Sequence, residues 1–412
     1  MTAATKRQEW TKSWKLPVIA MLGITGPAAY TYSSGIFMGE ITREFGWTKT
    51  QFASALTLQM LLGLIVGPLA ARVLDRIGSR RMLLVGIVPF ACGLSLIGLA
   101  NGILWQWWLL GAIYCILTAG VIPAAWVGGV VQSFNAARGM AMAVCLAGIG
   151  ISTALWPILV ASLVEQIGWR LTYPAMAIGW AIVLLPLTYC FYKPVRETAL
   201  VTGHSLPSIS PILASRTFWL LLGAGGLFTS VQLALIIHFV PIAKLQGISL
   251  SAAAGMAGII GLFSIIGRIG TGVLLDYVPT KPLAIFAFTL PLFVLGLLVT
   301  ASGSPFIMML AAALLGFASG SETDVVAYLC SRRFDERVFG TTYTLFQTGF
   351  AICASLGPLL AGWRFDQNGD YESYYVLAAP MIAVATLLIA LVPAAGKVAI
   401  GISVPDEAGL FD

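Results

Sequence analysis

The 412-residue chain consists mainly of apolar residues: 58% are hydrophobic, only 10% are charged, and the mean hydropathy is +0.91. Soluble domains carry roughly 25% charged residues, so this composition excludes an ordinary soluble protein and indicates that the bilayer is the solvent. The six cysteines lie in or at the ends of apolar stretches and form no CxxC pair. This pattern argues against a disulfide framework or a cysteine metal site.

Apolar stretches of about 20 residues recur along the whole chain, and each can cross a roughly 30 Å hydrocarbon core as a helix. The first is too long for a signal peptide and is followed by eleven more. The pattern predicts an all-α membrane protein with twelve spans, at 16–38, 51–74, 81–100, 105–131, 139–163, 170–192, 217–240, 250–275, 281–301, 305–330, 338–361 and 373–393.

Lysine and arginine residues fall mostly on one side of these spans. With the N-terminus inside, 17 of them flank the inner ends, 5 flank the outer ends, and Arg268 inside a span completes the 23. The positive-inside rule then predicts that both termini are cytoplasmic. The net charge of +6 is therefore a signal of topology. No basic run is interleaved with aromatic residues outside the spans, so we exclude nucleic acid as a partner.

The longest polar stretch between spans, 193–216, lies near the midpoint with six spans on either side. This arrangement predicts two pseudo-symmetric six-helix bundles around one central site. We assign 1–192 to the N-terminal bundle, 193–216 to a cytoplasmic linker and 217–412 to the C-terminal bundle. A weak repeat supports the division, since Asp75 and Asp276 each end a span and a basic residue follows within about five positions.

Between the second and third spans, one acid stands inside a basic loop that reads Asp75-Arg76-Ile77-Gly78-Ser79-Arg80-Arg81. These charges can form a latch between neighbouring helices when the inner gate is shut, and Gly78 supplies the turn. Alternatively, they are ordinary positive-inside residues. The loop resembles the signature of the major facilitator superfamily, which implies the twelve-helix fold of that superfamily and alternating access. The predicted gating residues are Asp75, Arg76, Gly78, Arg80, Arg138 and Asp276.

Arg268 stands alone in the apolar stretch of the eighth span. A charged guanidinium inside a membrane helix costs roughly 2.5–3.5 kcal/mol on insertion scales. A chain keeps such a charge when it faces a polar cavity and has a group to bind or to pair with. Arg268 is therefore predicted either to hold an anionic substrate or to lock two helices together.

Three further segments, 34–47, 133–141 and 168–170, are similar to the monocarboxylate transporter branch and its neighbour, the oxalate/formate exchangers. In that branch an arginine in span eight binds the substrate carboxylate, and Arg268 and Gly272 fit its pattern Arg-x-x-x-Gly. The resemblance implies that Arg268 binds substrate.

The chain also departs from that branch. Ser264 stands where the animal proton-coupled members have an aspartate, Tyr32 takes the place of their lysine in span one, and Phe346 stands where the oxalate exchangers have a second cation. A single buried cation favours one carboxylate over two. The departures therefore argue for a monoanion and against oxalate, and they leave the proton site open.

Two acids in the tenth span, Glu322 and Asp324, are candidates for that proton site. Arg268 lies eight residues before Asp276 and Asp324 eight before Arg332, so both are about 12 Å inside the cytoplasmic border. The two acids point about 200° apart, so both cannot face the cavity squarely. We hypothesise that one of them takes a proton when a carboxylate displaces it from Arg268. The alternative is a permanent ion pair.

Polar and aromatic side chains near the midplane complete the predicted substrate-binding set. Hydroxyl or amide groups there can face the cavity, although aromatic residues in membrane helices are more often lipid-facing or interfacial. The predicted set is Arg268, Tyr32, Gln59, Tyr114, Tyr328 and Phe346.

An enzyme is disfavoured, because the chain has no GxSxG, HExxH or CxxC motif and only two distant histidines. The more serious alternative is a major facilitator transporter of another small metabolite or drug, in which Arg268 is structural. We expect a secondary transporter of a small monocarboxylate with proton symport. It should need no metal or prosthetic group, since the proton is the coupling ion. We expect a monomer in a bacterial cytoplasmic (inner) membrane.

Overall fold

The computed structural model describes residues 6–194, 210–334 and 336–393, apart from the side chains of residues 276 and 336–340. Almost all of these residues are helical, which confirms the all-α prediction. The helices are α1 (Lys6–Ser13), α2 (Lys15–Phe45), α3 (Lys49–Ile77), α4 (Ser79–Ile97), α5 (Leu104–Thr118), α6 (Pro123–Ser133), α7 (Arg138–Phe191), α8 (Ser210–Leu213), α9 (Arg216–Leu245), α10 (Leu250–Tyr277), α11 (Thr280–Thr300), α12 (Pro305–Arg333), α13 (Glu336–Asn368) and α14 (Glu372–Leu391).

Ten helices in these ranges are long and apolar enough to cross a membrane, with α5 and α6 counted as one. α7 is broken at Gly168, where φ is 75° and ψ is 162°, and each part has the length of a span. α2, with 31 residues, is also long enough and packs along α7. Together these helices give the twelve predicted spans. The interruption between α5 and α6 coincides with Pro123, which has no N–H to continue the helix.

Two helices run seven residues further than predicted. α2 continues from the predicted end at 38 to Phe45, and α13 continues from 361 to Asn368. The hydropathy pattern excludes their charged ends, yet these ends remain helical because water beyond the hydrocarbon solvates the charges. In α2, Arg43 and Glu40 form an ion pair three residues apart, which supports this extension. The short helix α1 was not predicted.

The two halves share one sequence repeat. Glycines with φ between 66° and 87° end helices at corresponding points, and each pair is 201 positions apart: Gly46 and Gly247, Gly102 and Gly303, Gly168 and Gly369. The same offset relates Asp75 to Asp276. It also relates Thr48 to Ser249, whose side chains both accept a hydrogen bond from the backbone N–H three residues later. α2–α7 and α9–α14 therefore have the same helix order, as expected for two pseudo-symmetric bundles.

The halves meet along three helix pairs, α3 with α13, α7 with α10 and α2 with α9. We call the side that holds α1 and the turn at 134–137 the amino-terminal face. The side with the turns at Gly46 and Gly247 is the opposite face. The predicted linker 193–216 lies largely outside the described residues, so the division at that segment stays a prediction.

The helix α1 is attached to the turn that begins α7. The Glu9 carboxylate accepts hydrogen bonds from the backbone N–H groups of Asn135, Ala136 and Ala137 at 3.1, 3.0 and 2.9 Å. Trp10 packs edge-on against Phe134, with ring centroids 5.4 Å apart. The N–H groups around a helix start lack intrahelical partners and favour a negative charge, so these bonds lower the pKa of Glu9.

We expect Glu9→Gln to lower the melting temperature of the purified protein at pH 7. Because the folded-state pKa of Glu9 is below its ordinary value of 4.5, the ionised Glu9 stabilises the folded protein above that pH. The contribution is lost as the pH falls through the lowered pKa. The difference between wild type and variant should therefore shrink below about pH 4.5 in a pH series of melting curves.

Glu165→Gln is the matched control, since Glu165 is exposed and makes no ion pair among the residues described. An equal loss in this control, or a Glu9→Gln difference that does not depend on pH, would contradict the assigned role of Glu9.

Candidate functional site

A cavity of about 1020 Å³ lies between the two halves. Its walls come from both halves and are mostly aliphatic, with Val144, Ile236 and Ile265 among the residues that line it. Arg268 is the single cation among the described lining residues, and Asp324 is the single acid. The other lining residues with polar side chains are Tyr32, Thr153, Ser264, Ser319, Thr323, Tyr343 and Gln347.

Small residues bring Arg268 and Asp324 to the same wall. A methyl group added at Gly320 would lie 2.1 Å from the Ser264 carbonyl oxygen and 2.6 Å from the backbone nitrogen of Arg268. The backbones of α10 and α12 therefore cross at very close range. Asp324 follows Gly320 by one helical turn and therefore lies on the same side of α12. The close crossing thus places the carboxylate within electrostatic range of the guanidinium.

Arg268 nevertheless makes no direct ion pair with any side chain that the structure describes. Among the residues described, no carboxylate oxygen lies within 4.0 Å of its guanidinium nitrogens, and no hydrogen bond from it is found. Its side chain is half-buried and lines the cavity. The cation is therefore available to a group that enters the cavity.

The two acids of α12 have different surroundings. Asp324 lines the cavity, whereas Glu322 is 4% exposed and lies off it. The Glu322 Oε2 accepts a hydrogen bond from the Thr323 hydroxyl at 3.3 Å, and its Oε1 has no partner among the described residues. A spacing of two residues turns the side chains to different sides of the helix, so only Asp324 faces the entering substrate.

Two tyrosines complete the polar part of the cavity. Tyr32 lies beside Thr153 and interacts electrostatically with Arg268. Tyr343 interacts electrostatically with Arg268 and Asp324, and Gln347 lines the cavity one turn further along α13. The sequence analysis did not assign Tyr343 or Gln347. Their spacing of four residues on one helix face was the signal that could have identified them.

Four of the predicted substrate residues lie outside this cavity. Tyr114 is buried against Tyr30, with ring centroids 4.6 Å apart, and Phe346 stacks on Phe218 at 4.9 Å. The Tyr328 hydroxyl accepts hydrogen bonds from Arg332, and Gln59 has a buried Oε1 without a partner among the described residues. Gln59, Tyr114 and Tyr328 were chosen by depth along their helices and Phe346 by the resemblance, and neither criterion determines which side of a helix faces the cavity.

The cavity reaches the amino-terminal face. Met140, near the start of α7, and Val273, near the end of α10, both line it. When the cavity is open on this side, the charges of the predicted latch should not pair between neighbouring helices. Consistent with that, no ion pair of Asp75 or Arg76 is found among the described residues.

The other predicted gating residues have local roles here. Arg80 donates to the Tyr189 carbonyl oxygen at 2.8 Å, and Arg138 donates to the Val131 carbonyl oxygen at 3.4 Å. Gly78, with φ 81°, connects α3 to α4. The Asp276 side chain lies outside the described residues, so its part in a latch stays a prediction.

The opposite face is closed by hydrogen bonds between the halves. The Asp366 carboxylate of α13 accepts from the backbone N–H groups of Lys49 and Thr50 at 2.9 and 2.8 Å. These two residues begin α3, so a carboxylate of one half caps a helix of the other. Further along the same pair of helices, the Thr57 hydroxyl donates to the Ser355 carbonyl oxygen at 2.6 Å.

The Lys49 side chain strengthens this closure. Its Nζ donates to the Tyr371 hydroxyl at 3.0 Å and lies 3.2 Å from the centroid of the Phe365 ring. The Tyr371 hydroxyl also contacts the His238 Nδ1 at 2.7 Å. His238, Tyr371 and Phe365 belong to one half and Lys49 to the other, so the contacts of Lys49 must break for the opposite face to open.

Two six-helix halves that enclose a cavity open to one face define a membrane transporter, not an enzyme. The sequence matches the Major Facilitator Superfamily over residues 19–304 and 281–401. The chain belongs to this superfamily.

Relatives agree with this membership, and a solved structure shares the fold. An MFS-type transporter of Gibberella moniliformis is 26% identical, with 87% of each chain covered. Monocarboxylate transporter 3 of Rattus norvegicus is 24% identical, covering 89% of this chain and 77% of the relative. The crystal structure of a D-xylose-proton symporter matches with a TM-score of 0.71 at 16% identity, over 91% of this chain and 97% of that one. This structural likeness shows the fold alone.

We expect Asp366→Ala to speed hydrogen–deuterium exchange at the backbone N–H groups of Lys49 and Thr50 by about tenfold, because each group loses one charge-assisted hydrogen bond. First-turn groups have no partner inside α3, so their protection depends on Asp366. Mass spectrometry of the peptide around 46–56 measures this. Asp370→Ala removes the same charge nearby, where Asp370 accepts from the Ser373 N–H within its own half, and should leave exchange unchanged. Unchanged exchange in Asp366→Ala would contradict the assigned closure.

Proposed function

We propose that the protein is a secondary transporter that moves a small monocarboxylate across the membrane by alternating access. The observation that supports this most is Arg268, the single cation of the described cavity lining, which has no direct ion pair there. A planar guanidinium matches a carboxylate with two parallel hydrogen bonds. An anionic substrate would therefore offset the cost of keeping this charge inside the bundle.

The charges of the cavity favour a monoanion. One cation and one acid, Arg268 and Asp324, are the ionisable groups of opposite sign in the described lining. A second carboxylate on the substrate would have no cation to meet and would face Asp324. Tyr32, Tyr343 and Gln347 offer hydroxyl and amide groups that can bind the rest of a small acid.

Proton symport follows from the same pair of residues. When the substrate carboxylate binds Arg268, it neutralises the positive charge that stabilises the Asp324 carboxylate. A proton taken up by Asp324 then keeps the net charge of the site unchanged. One monoanion and one proton then cross without net charge movement. Such a cycle needs no prosthetic group, because the proton is the coupling ion.

The orientation and setting are also part of the proposal. The positive-inside distribution supports a cytoplasmic location of both termini, and in that orientation the described conformation is open to the inside and closed outside. A monomer is sufficient, since both halves of the cavity come from one chain. We place the protein in a bacterial cytoplasmic membrane.

A second candidate is export of a larger metabolite, with Arg268 in a structural role. A relative of Gibberella fujikuroi, named as a fujikurins efflux protein, is 23% identical over 57% of this chain and 50% of its own length. The cavity of about 1020 Å³ also exceeds the volume of a small acid. A substrate panel that contains both small acids and larger uncharged compounds separates the two functions.

We expect Arg268→Ala to reduce uptake of the transported monocarboxylate into proteoliposomes by at least about tenfold, because it removes a charge-assisted bidentate contact. Arg268→Lys should retain part of the activity, since it keeps the charge without the planar fork. Arg216→Ala removes an exposed cation outside the cavity and should transport normally. Uptake that is equal in wild type and in monodisperse Arg268→Ala would return the arginine to a structural role.

We expect Asp324→Asn to abolish the stimulation of uptake by an inward proton gradient while leaving exchange of labelled for unlabelled substrate. An amide cannot take up the coupled proton, but it still allows the loaded cavity to alternate. Glu322→Gln is the control, because Glu322 lies off the cavity, and it should keep the stimulation. Full gradient-driven uptake in Asp324→Asn would exclude Asp324 as the proton carrier.

A further inference from the structure

A second cavity, of about 430 Å³, opens at the amino-terminal face among the ends of three helices of the second half. The first turn of α11 and the last turns of α12 and α14 form it, and it shares no lining residue with the central cavity. Three cations line it, Lys281, Arg332 and Arg333, and no carboxylate is found among its described lining residues. We propose that this cavity binds the phosphate of an anionic phospholipid headgroup.

The arginines of this cavity are held in place by their neighbours. The Tyr328 hydroxyl accepts hydrogen bonds from the Arg332 Nε at 3.2 Å and Nη2 at 3.0 Å, and the guanidinium carbon lies 5.2 Å from the ring centroid. Arg333 is 6% exposed and donates to the Pro393 carbonyl oxygen. Side chains fixed in this way lose little conformational entropy when an anion binds. The guanidinium of Arg332 and the ammonium of Lys281 carry N–H donors that suit phosphate oxygens.

The start of α11 adds backbone donors to the same place. Thr280 and Lys281 are the first two residues of this 21-residue helix, and its N-cap Pro279 provides no side-chain cap. The first N–H groups of a helix have no intrahelical partner and bear the positive end of the helix dipole. A helix start next to basic side chains is a favourable phosphate site.

The apolar lining of the cavity favours a lipid over free phosphate. Leu329, Ile389 and Val392 also line it, and Leu391 and Phe286, on two of the helices that form it, are 50% and 53% exposed. A phospholipid whose phosphate binds the cations would have its acyl chains against these apolar side chains. Basic pockets between transmembrane helices are known to suit anionic lipid headgroups, and each nearby cation strengthens binding by roughly fivefold.

Native mass spectrometry of the full-length protein in detergent tests this proposal. The probes are phosphatidylglycerol, phosphatidylcholine with the same acyl chains, and inorganic phosphate at matched ionic strength. The variant is Lys281→Gln/Arg332→Gln. The matched control is Arg7→Gln/Lys12→Gln, which removes two exposed cations from the same face. Size-exclusion chromatography checks that each variant is folded.

We expect the wild type to bind one phosphatidylglycerol in preference to phosphatidylcholine, and the variant to bind it roughly 25-fold more weakly. The control should bind as the wild type does, and inorganic phosphate should not displace the lipid. Equal binding of the two lipids, or an equal loss in the control, would overturn the site. Displacement by millimolar inorganic phosphate would assign the cavity to free phosphate and overturn the lipid proposal.

Discussion

A charged guanidinium inside an apolar helical bundle is the constraint on which the rest of this structure depends. Its burial costs several kcal/mol unless polar groups or a ligand replace the lost water. The chain meets this requirement with a cavity lined by Arg268 and Asp324, and the close crossing of α10 and α12 at Gly320 brings the two residues to one wall. The aliphatic remainder of the lining keeps the dielectric low, which strengthens any charge interaction that the cavity makes.

The two faces of the bundle differ in the contacts between its halves, and this difference defines the conformation. At the opposite face, Asp366 caps α3 and Lys49 reaches Tyr371 across the halves. At the amino-terminal face, the cavity is open and no ion pair of Asp75 is found among the described residues. Alternation requires the first set of contacts to break while contacts at the amino-terminal face form. The free energy difference between the two states therefore depends on the polar contacts broken at one face and those formed at the other. Binding of a substrate can shift this difference.

Much of the fold followed from the sequence because hydropathy and helix length are local properties. The twelve spans, the break near Gly168 and the equal depth of Arg268 and Asp324 could all be read from the chain. The direction of individual side chains could not, since the rotation of a helix about its axis depends on packing against partners far away in sequence. Tyr114 and Phe346 lie in aromatic clusters for this reason, while Tyr343 and Gln347 reach the cavity. The bonds from the turn at 135–137 to Glu9 likewise join segments more than 120 residues apart.

Equilibrium binding to the purified protein tests most directly whether Arg268 holds a carboxylate. The measurement compares a transported monocarboxylate with its primary amide, which has nearly the same shape but no charge, in wild type and in Arg268→Ala. A substrate site at Arg268 predicts that the wild type binds the acid at least about tenfold more tightly than the amide and that the variant loses this preference. Equal binding of acid and amide by the wild type, or a preference that survives in the variant, would contradict it.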